Sequence, residues 1–253
     1  MLSRGDLERL RSVLGYTLGQ VEKDYIQHMF LLHLYKDIKD ELVFKGGTCL
    51  QKIYGLGRFS EDLDFTVNGP VDIEKSLART RQGMSRFGCL AEIANRSEDD
   101  IRISVRIKTR GPLYDGTELS QCSLRLEASK REKVLLPPVI KTISPVYEDM
   151  PFYSLPTMDL EEILAEKVRG LLTRDRARDA YDLYYLVKKG VSVRRDIIEK
   201  KLEYYGLSFD IAEVVRSISG KRKVWVSELK PLITHLPNFE EVEKTILDKV
   251  RGH

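Results

Sequence analysis

The chemistry-bearing residues of this chain gather in one stretch. Leu42-Val43-Phe44-Lys45-Gly46-Gly47-Thr48 is followed, after a short amphipathic segment, by Arg58-Phe59-Ser60-Glu61-Asp62-Leu63-Asp64-Phe65. The alternation of the second run is that of a strand, with Asp62, Asp64 and Thr66 on one face and Leu63, Phe65 and Val67 on the other. Two carboxylates side by side form a hard anionic oxygen pair, suited to Mg2+ rather than to a softer metal. Gly46 and Gly47 let the backbone turn with its amides exposed toward a phosphate, and Thr48 is placed to cap the helix that starts there. A phosphate cradle beside paired acids is what metal-assisted phosphoryl or nucleotidyl transfer needs. Either half alone reads more readily as an ordinary glycine turn or a solvated strand start; joined, with an Arg-x-Ser between them, they favour the functional reading.

These residues must be held by an α+β scaffold. The run 42–67 reads as strand, glycine turn, short helix, loop, strand. Before it, residues 6–40 read as two helices broken near Gly15 to Gly19, the second carrying an apolar stripe of Val21, Tyr25, Met29, Leu32 and Tyr35. His28 and His33 lack ligand partners at metal spacing and are taken as structural or surface residues. A helix is expected over 71–87. Residues 101–110 alternate almost perfectly, with Arg102, Ser104, Arg106, Lys108 and Arg110 on one face. That basic face fits a solvated sheet surface or contact with RNA phosphates. The strand 121–129 alternates as well and puts Arg125 and Glu127 on its polar side. Prolines 137, 138, 145, 151 and 156 mark a region of little periodicity, read as a connection, with a domain boundary near Leu155.

From Asp159 the pattern is helical, with Asp159 as N-cap and Glu162 as its box partner. Lys167 sits on the apolar stripe of this helix, which is costly unless its ammonium is paired, snorkels or reaches a site. Asp179 and Asp182, three residues apart, share a face of the next helix. Beyond Val191 the chain is helical and charged, with Trp225 near Lys221-Arg222-Lys223, and no chemistry is readable there.

The motif from Phe44 to Phe65 resembles the first motif of the AbiEii/AbiGii nucleotidyltransferase toxins, the MenT-like branch of the polymerase-β-type superfamily. Weaker echoes lie at Val21-Glu22-Lys23-Asp24-Tyr25 and from Leu160 to Leu186, so the resemblance spans about residues 20 to 190. It implies a polymerase-β-type core over 1–155, a small mixed sheet flanked by helices, and a C-terminal helical domain over 156–253 that completes the nucleotide site. It also implies Asp62, Asp64 and Glu127 as Mg2+ ligands, with Mn2+ as a substitute. Lys45, Gly46, Gly47, Thr48, Arg58, Ser60 and Lys167 are implied as nucleotide-binding, and Lys167, Asp179 and Asp182 as further catalytic residues. For Glu127 a structural pairing with Arg125 stays open, and Arg58 and Ser60 would serve equally to fix the loop that presents the acids. Gly47-Thr48 stands further from the acids than in many polymerase-β-type enzymes, a spacing that agrees with the toxin branch.

The implied activity is transfer of a nucleoside monophosphate from an NTP to RNA, the 3′ end of tRNA by resemblance, in a toxin with a cognate antitoxin, as in type IV toxin–antitoxin or phage-defence loci. Its rivals are transfer to a small molecule or protein side chain, and a non-catalytic RNA- or partner-binding module. A chain of 253 residues with 42% hydrophobic and 32% charged residues buries a substantial core, and a net charge of +3 does not by itself mark a nucleic-acid binder. Three scattered cysteines point to reduced thiols rather than a disulfide framework. With no apolar run of signal-peptide or membrane-span length, a cytoplasmic location without membrane association is expected.

Overall fold

A computed structural model describes residues 1–251. Its contacts divide the chain into two compact units: the first holds residues 1–54, 59–133 and 138–157, and the second holds 55–58, 134–137 and 158–253.

The first unit opens with helices α1 (Arg4–Leu14) and α2 (Leu18–Leu34), each started by a capping box, Ser3 with Asp6 and Thr17 with Gln20. Then come β1 (Leu42–Lys45), α3 (Gly46–Tyr54), β2 (Asp62–Val67), α4 (Ile73–Arg86), β3 (Leu90–Glu98), β4 (Arg102–Arg110), β5 (Cys122–Ser129), β6 (Val139–Ile143) and β7 (Tyr153–Thr157). The strands make one mixed sheet in the order β3-β4-β5-β2-β1-β7-β6. β2 runs parallel to β5 and antiparallel to β1. Its apolar face, with Leu63, Phe65, Ile103, Val105, Ile107, Leu124 and Leu126, is buried; α2 packs on β5 and α4 on β3. Each such side chain contributes about 1.5–3 kcal/mol of apolar burial. With one face committed to the core, a one-residue slip would bury the acids, so the register is strongly fixed.

Two elements depart from the sequence reading. The proline-rich region forms the β6–β7 hairpin, in which Pro156 sits opposite Ile140. β3 also goes unseen in the sequence, because Glu92, Asn95, Arg96, Ser97 and Glu98 give it little strand character, and almost all of it is exposed.

The second unit is helical: α5 (Leu160–Thr173), α6 (Ala177–Lys188), α7 (Arg195–Glu203), α8 (Ile211–Gly220), α9 (Trp225–Leu229) and α10 (Phe239–Arg251). Asp159 caps α5 by accepting from the Glu161 amide. Glu162 is not its box partner. Its fully buried carboxylate instead accepts from the Leu135 and Leu136 amides and pairs with the equally buried Lys201 at 2.7 Å. Trp225 is buried and donates to the Pro237 carbonyl, and Lys221 is buried and pairs with Asp175. All three cysteines are free and buried, as expected. Among the described residues, no helix is long and apolar enough to cross a membrane.

Candidate active site

In the first unit the register sets the acids in rows. Asp64 of β2 has Lys45 of β1 as its antiparallel partner and Glu127 of β5 as its parallel partner, and Glu127 is opposite Ser104 of β4. Residues in register share a face, so Lys45, Asp64, Glu127 and Ser104 form one polar row, with strands about 4.8 Å apart. The neighbouring row runs Asp62, Arg125, Arg106. Asp62, Asp64 and Glu127 are half-buried, whereas Arg125 and Arg106 are exposed. Glu127 Oε1 takes Arg125 Nη2 at 2.5 Å and the Ser104 hydroxyl at 3.3 Å.

The glycine turn abuts these acids. Gly46 has φ of 75°, and a Cβ there would lie 2.5 Å from Asp64 Oδ2, so only glycine fits the passage from β1 into α3. Lys45 is buried beside it. Thr48 is fully buried, and its hydroxyl donates to the Asp62 carbonyl at 2.5 Å. Its hydroxyl therefore holds the acid strand.

Three residues that the sequence did not single out, Gln27, Gln51 and Lys52, help fix this arrangement. Gln27 of α2 donates to the Ser60 and Glu61 carbonyls at 3.1 and 2.8 Å, and Gln51 of α3 accepts from the Ser60 amide at 2.9 Å. Ser60, buried, is thus held through its backbone. Lys52 of α3 pairs with Asp24 of α2 at 2.7 Å, almost wholly out of water. Asp24 also accepts from the Tyr147 hydroxyl at 2.7 Å. Burial raises the Asp24 carboxyl, but Lys52 and His28 bring it below its ordinary range. His28 bonds the Tyr153 hydroxyl at 2.8 Å, and burial, with Lys52, lowers its pKa to about 3 against the pull of Asp24. The available signal was polar residues on an otherwise apolar helix, at Asp24, Gln27 and His28.

The second unit gathers the remaining candidates. Arg58 clamps fully buried Asp182 with two bonds, Nε to Oδ1 at 2.6 Å and Nη2 to Oδ2 at 2.7 Å. Lys167 reaches Asp182 at 2.7 Å and Asp179 at 3.5 Å. Arg174 takes Asp179 at 3.0 Å, a close approach allowed by Gly170, where a Cβ would lie 2.8 Å from that guanidinium. Burial raises the Asp182 carboxyl, yet Arg58 and then Lys167 hold it down at about 2. The costly lysine on the apolar stripe of α5 is therefore paired.

The basic strand presents Arg102 and Arg106 exposed and Lys108 and Arg110 half-buried on the polar face. Arg110 pairs with Glu92 at 3.3 Å, while Arg106 and Lys108 have no ion-pair partner among the described residues.

The carboxylates suit a hard divalent cation in donor type. Among the described residues no three His, Cys, Asp or Glu side chains are already gathered as a metal cage. Mg2+ is usually held by one or two carboxylates plus substrate phosphates and waters. Asp62 and Asp64 on one face meet that need, and Glu127 is in register to join them.

Solved structures share this fold. MenT4, a nucleotidyltransferase toxin from Mycobacterium tuberculosis, superposes with a TM-score of 0.70 at 19% identity, covering 98% of this chain and 88% of that one. JHP933 from Helicobacter pylori does so with a TM-score of 0.60 at 18% identity, covering 93% and 92%. No curated protein sequence matches the chain significantly. These likenesses show a shared fold. A family described as nucleotidyl transferase AbiEii toxin, type IV toxin–antitoxin system, matches residues 30–245, and the chain belongs to that family. It is a nucleotidyltransferase toxin, of a kind that implies a nucleotide substrate and an antitoxin partner.

Proposed function

We propose that the protein uses Mg2+, or Mn2+ in its place, to transfer a nucleoside monophosphate from an NTP to an RNA hydroxyl, with the 3′ end of tRNA as acceptor. The observation that carries this is the row Lys45, Asp64, Glu127 with Asp62 on the same face and Gly46 pressed against Asp64. A metal ion held by Asp62 and Asp64, joined by Glu127, would offset charge on the phosphates and acidify the attacking hydroxyl. The amides at Gly46 and Gly47 and the start of α3 bind phosphate oxygens. Lys45, beside Asp64, adds a cation there. Thr48, Gln51 and Gln27 keep the acid strand and its approach loop in place. The acceptor oxygen bonds to the α-phosphorus in line, the bond to pyrophosphate breaks, and the hydroxyl proton leaves to the carboxylate-lined face and then to water.

Within the second unit Lys167, the cation that the family resemblance assigns to the nucleotide, is held by Asp182 and Asp179. Arg58, bidentate on Asp182, is a positioning residue. RNA as acceptor is supported by Arg102, Arg106 and Lys108 on the face that carries the acids. The test supplies each labelled nucleoside triphosphate in turn with cellular RNA, Mg2+ and either wild type or Asp64→Asn. Label on RNA with wild type alone is expected. Label confined to protein or to a small molecule would overturn the RNA acceptor, and toxicity unchanged in Asp64→Asn would overturn catalysis as its cause.

A further inference from the structure

Arg125 occupies a junction that the reading above leaves without a role. Its register neighbours are Asp62 in β2 and Arg106 in β4, and two residues along its own strand, on the same face, is Glu127. Like charges directly opposite each other in a sheet are destabilising, and Arg125 opposite Arg106 is such a pair. A cation kept there at that cost has an anion to serve. The anion it holds is Glu127, at 2.5 Å, by the same carboxylate oxygen that takes the Ser104 hydroxyl. Glu127 is the acid in register with Asp64, and its carboxylate is engaged along β5.

We propose that Arg125 is a positioning residue that withholds Glu127 from the metal set. The inference rests on the metal-dependent reading above. While the ion pair is closed, Glu127 is held along β5, apart from Asp62 and Asp64 of β2. When an anionic substrate draws the guanidinium away, Glu127 is released toward its neighbour Asp64. Arg125 is exposed and one residue across from Arg106, so a polyanionic strand lying along Arg102 and Arg106 would reach it. Metal uptake is thereby coupled to the arrival of substrate: free protein binds the ion weakly, and a phosphate on Arg125 completes the site.

The pair is half-exposed, with side-chain exposures of 46% and 28%, so what it holds back is modest. Direct Mn2+ titration, read by electron paramagnetic resonance on nucleotide-free protein, needs no turnover. Arg125→Met and Arg125→Gln are each expected to bind Mn2+ about two- to five-fold more tightly than wild type, the range a half-exposed ion pair can contribute. In a Glu127→Gln background the same replacements are expected to change nothing further, because the partner through which Arg125 acts is gone. Unchanged affinity in Arg125→Met and Arg125→Gln overturns the proposal. Equal tightening in both backgrounds also overturns it, since that is the through-space effect of deleting a cation. A wild type that binds no Mn2+ at all overturns the metal reading itself, and the inference with it.

Discussion

The two groups of acids in this protein differ in what their oxygens are doing. On the polar sheet face of the first unit, Asp62, Asp64 and Glu127 are half-buried, and Glu127 is held by an exposed arginine and a hydroxyl. In the second unit Asp182 is fully buried, with Arg58 on both oxygens and Lys167 on one of them. A carboxylate near water can exchange partners at small cost, whereas one sealed in with its counter-ions cannot lose one without stranding a buried charge. The first group is thus the one whose partners can change, the second the one whose ion pairs are locked by burial. Both read in sequence as acids at short spacing.

The largest expected effects split along this line. Asp182→Asn leaves Arg58 and Lys167 without their buried counter-charge and should cost about 3–5 kcal/mol of folding stability, measured by urea unfolding. Asp64→Asn should cost clearly less stability than Asp182→Asn, while lowering nucleotidyl transfer by about two to three orders of magnitude, the scale of losing one electrostatic stabiliser. The comparison breaks if Asp64→Asn unfolds the protein or if Asp182→Asn is as stable as wild type.

Acid should open the two units in a set order. Asp182 has its pKa lowered from 3.8 to about 2, so between those values the unfolded chain binds more protons than the folded one. Its stabilisation is present above pH 3.8 and is lost as pH falls toward 2, in all about 2 kcal/mol at 1.36 kcal/mol per pH unit. His28, in the first unit, is held neutral with its pKa lowered from 6.5 to about 3, so the unfolded chain is the better proton binder over that wider window and stability falls as soon as pH drops below 6.5. Hydrogen exchange read by mass spectrometry at pH 7, 5 and 3.5 should show α2 and the β6–β7 hairpin losing protection before α5 and α6. The reverse order would refute this account of where the buried titratable groups act.

A smaller effect tests how closely the glycine turn is fitted to the acids. Gly46→Ala must adopt a positive φ of 75° and brings a Cβ within 2.5 Å of Asp64 Oδ2. The backbone strain alone is about 1–2 kcal/mol, and Asp64 has to move. Transfer activity should fall by more than this stability loss explains, because the displaced group is a site acid. Gly116→Ala, with φ of 101° but open space around it, is the control: similar strain, unchanged transfer.

Period-two patterning made β2, β4 and β5 legible, because one face of each is core and the other water, and the same patterning placed Asp62, Asp64 and Glu127 on the polar side. β3 and the β6–β7 hairpin were hidden: one is polar along most of its length and the other is interrupted by prolines, so neither shows the alternation that burial of one face produces. Register was out of reach as well, because which residue of β5 stands beside Asp64 is a long-range pairing. The ion pairs were hidden for the same reason. Lys167 on an apolar stripe announced that it needed a partner, but not that Asp182 supplies it; Thr48 promised a hydroxyl for phosphate, and the fold turns that hydroxyl to the Asp62 carbonyl.

The smallest effect concerns the basic face, and it separates a nucleic-acid surface from plain solvation. Arg106 and Lys108 hold no ion-pair partner among the described residues, so replacing either by Gln removes charge without breaking a pair, and stability should move by no more than about 0.5 kcal/mol. If single-stranded RNA phosphates lie on that face, Arg106→Gln should lower the slope of log affinity against log salt by about 0.7, the counterions released per contact on a single strand. Lys249→Gln, at the far end of α10, should leave the slope unchanged. The sheet is what makes this decisive: Arg106 and Arg125 stand in one row with Asp62, so a strand bound by the arginines has its backbone beside the acids. An unaltered slope in Arg106→Gln, Arg102→Gln and Lys108→Gln alike would return the face to ordinary solvated arginines and move the search for the acceptor surface elsewhere.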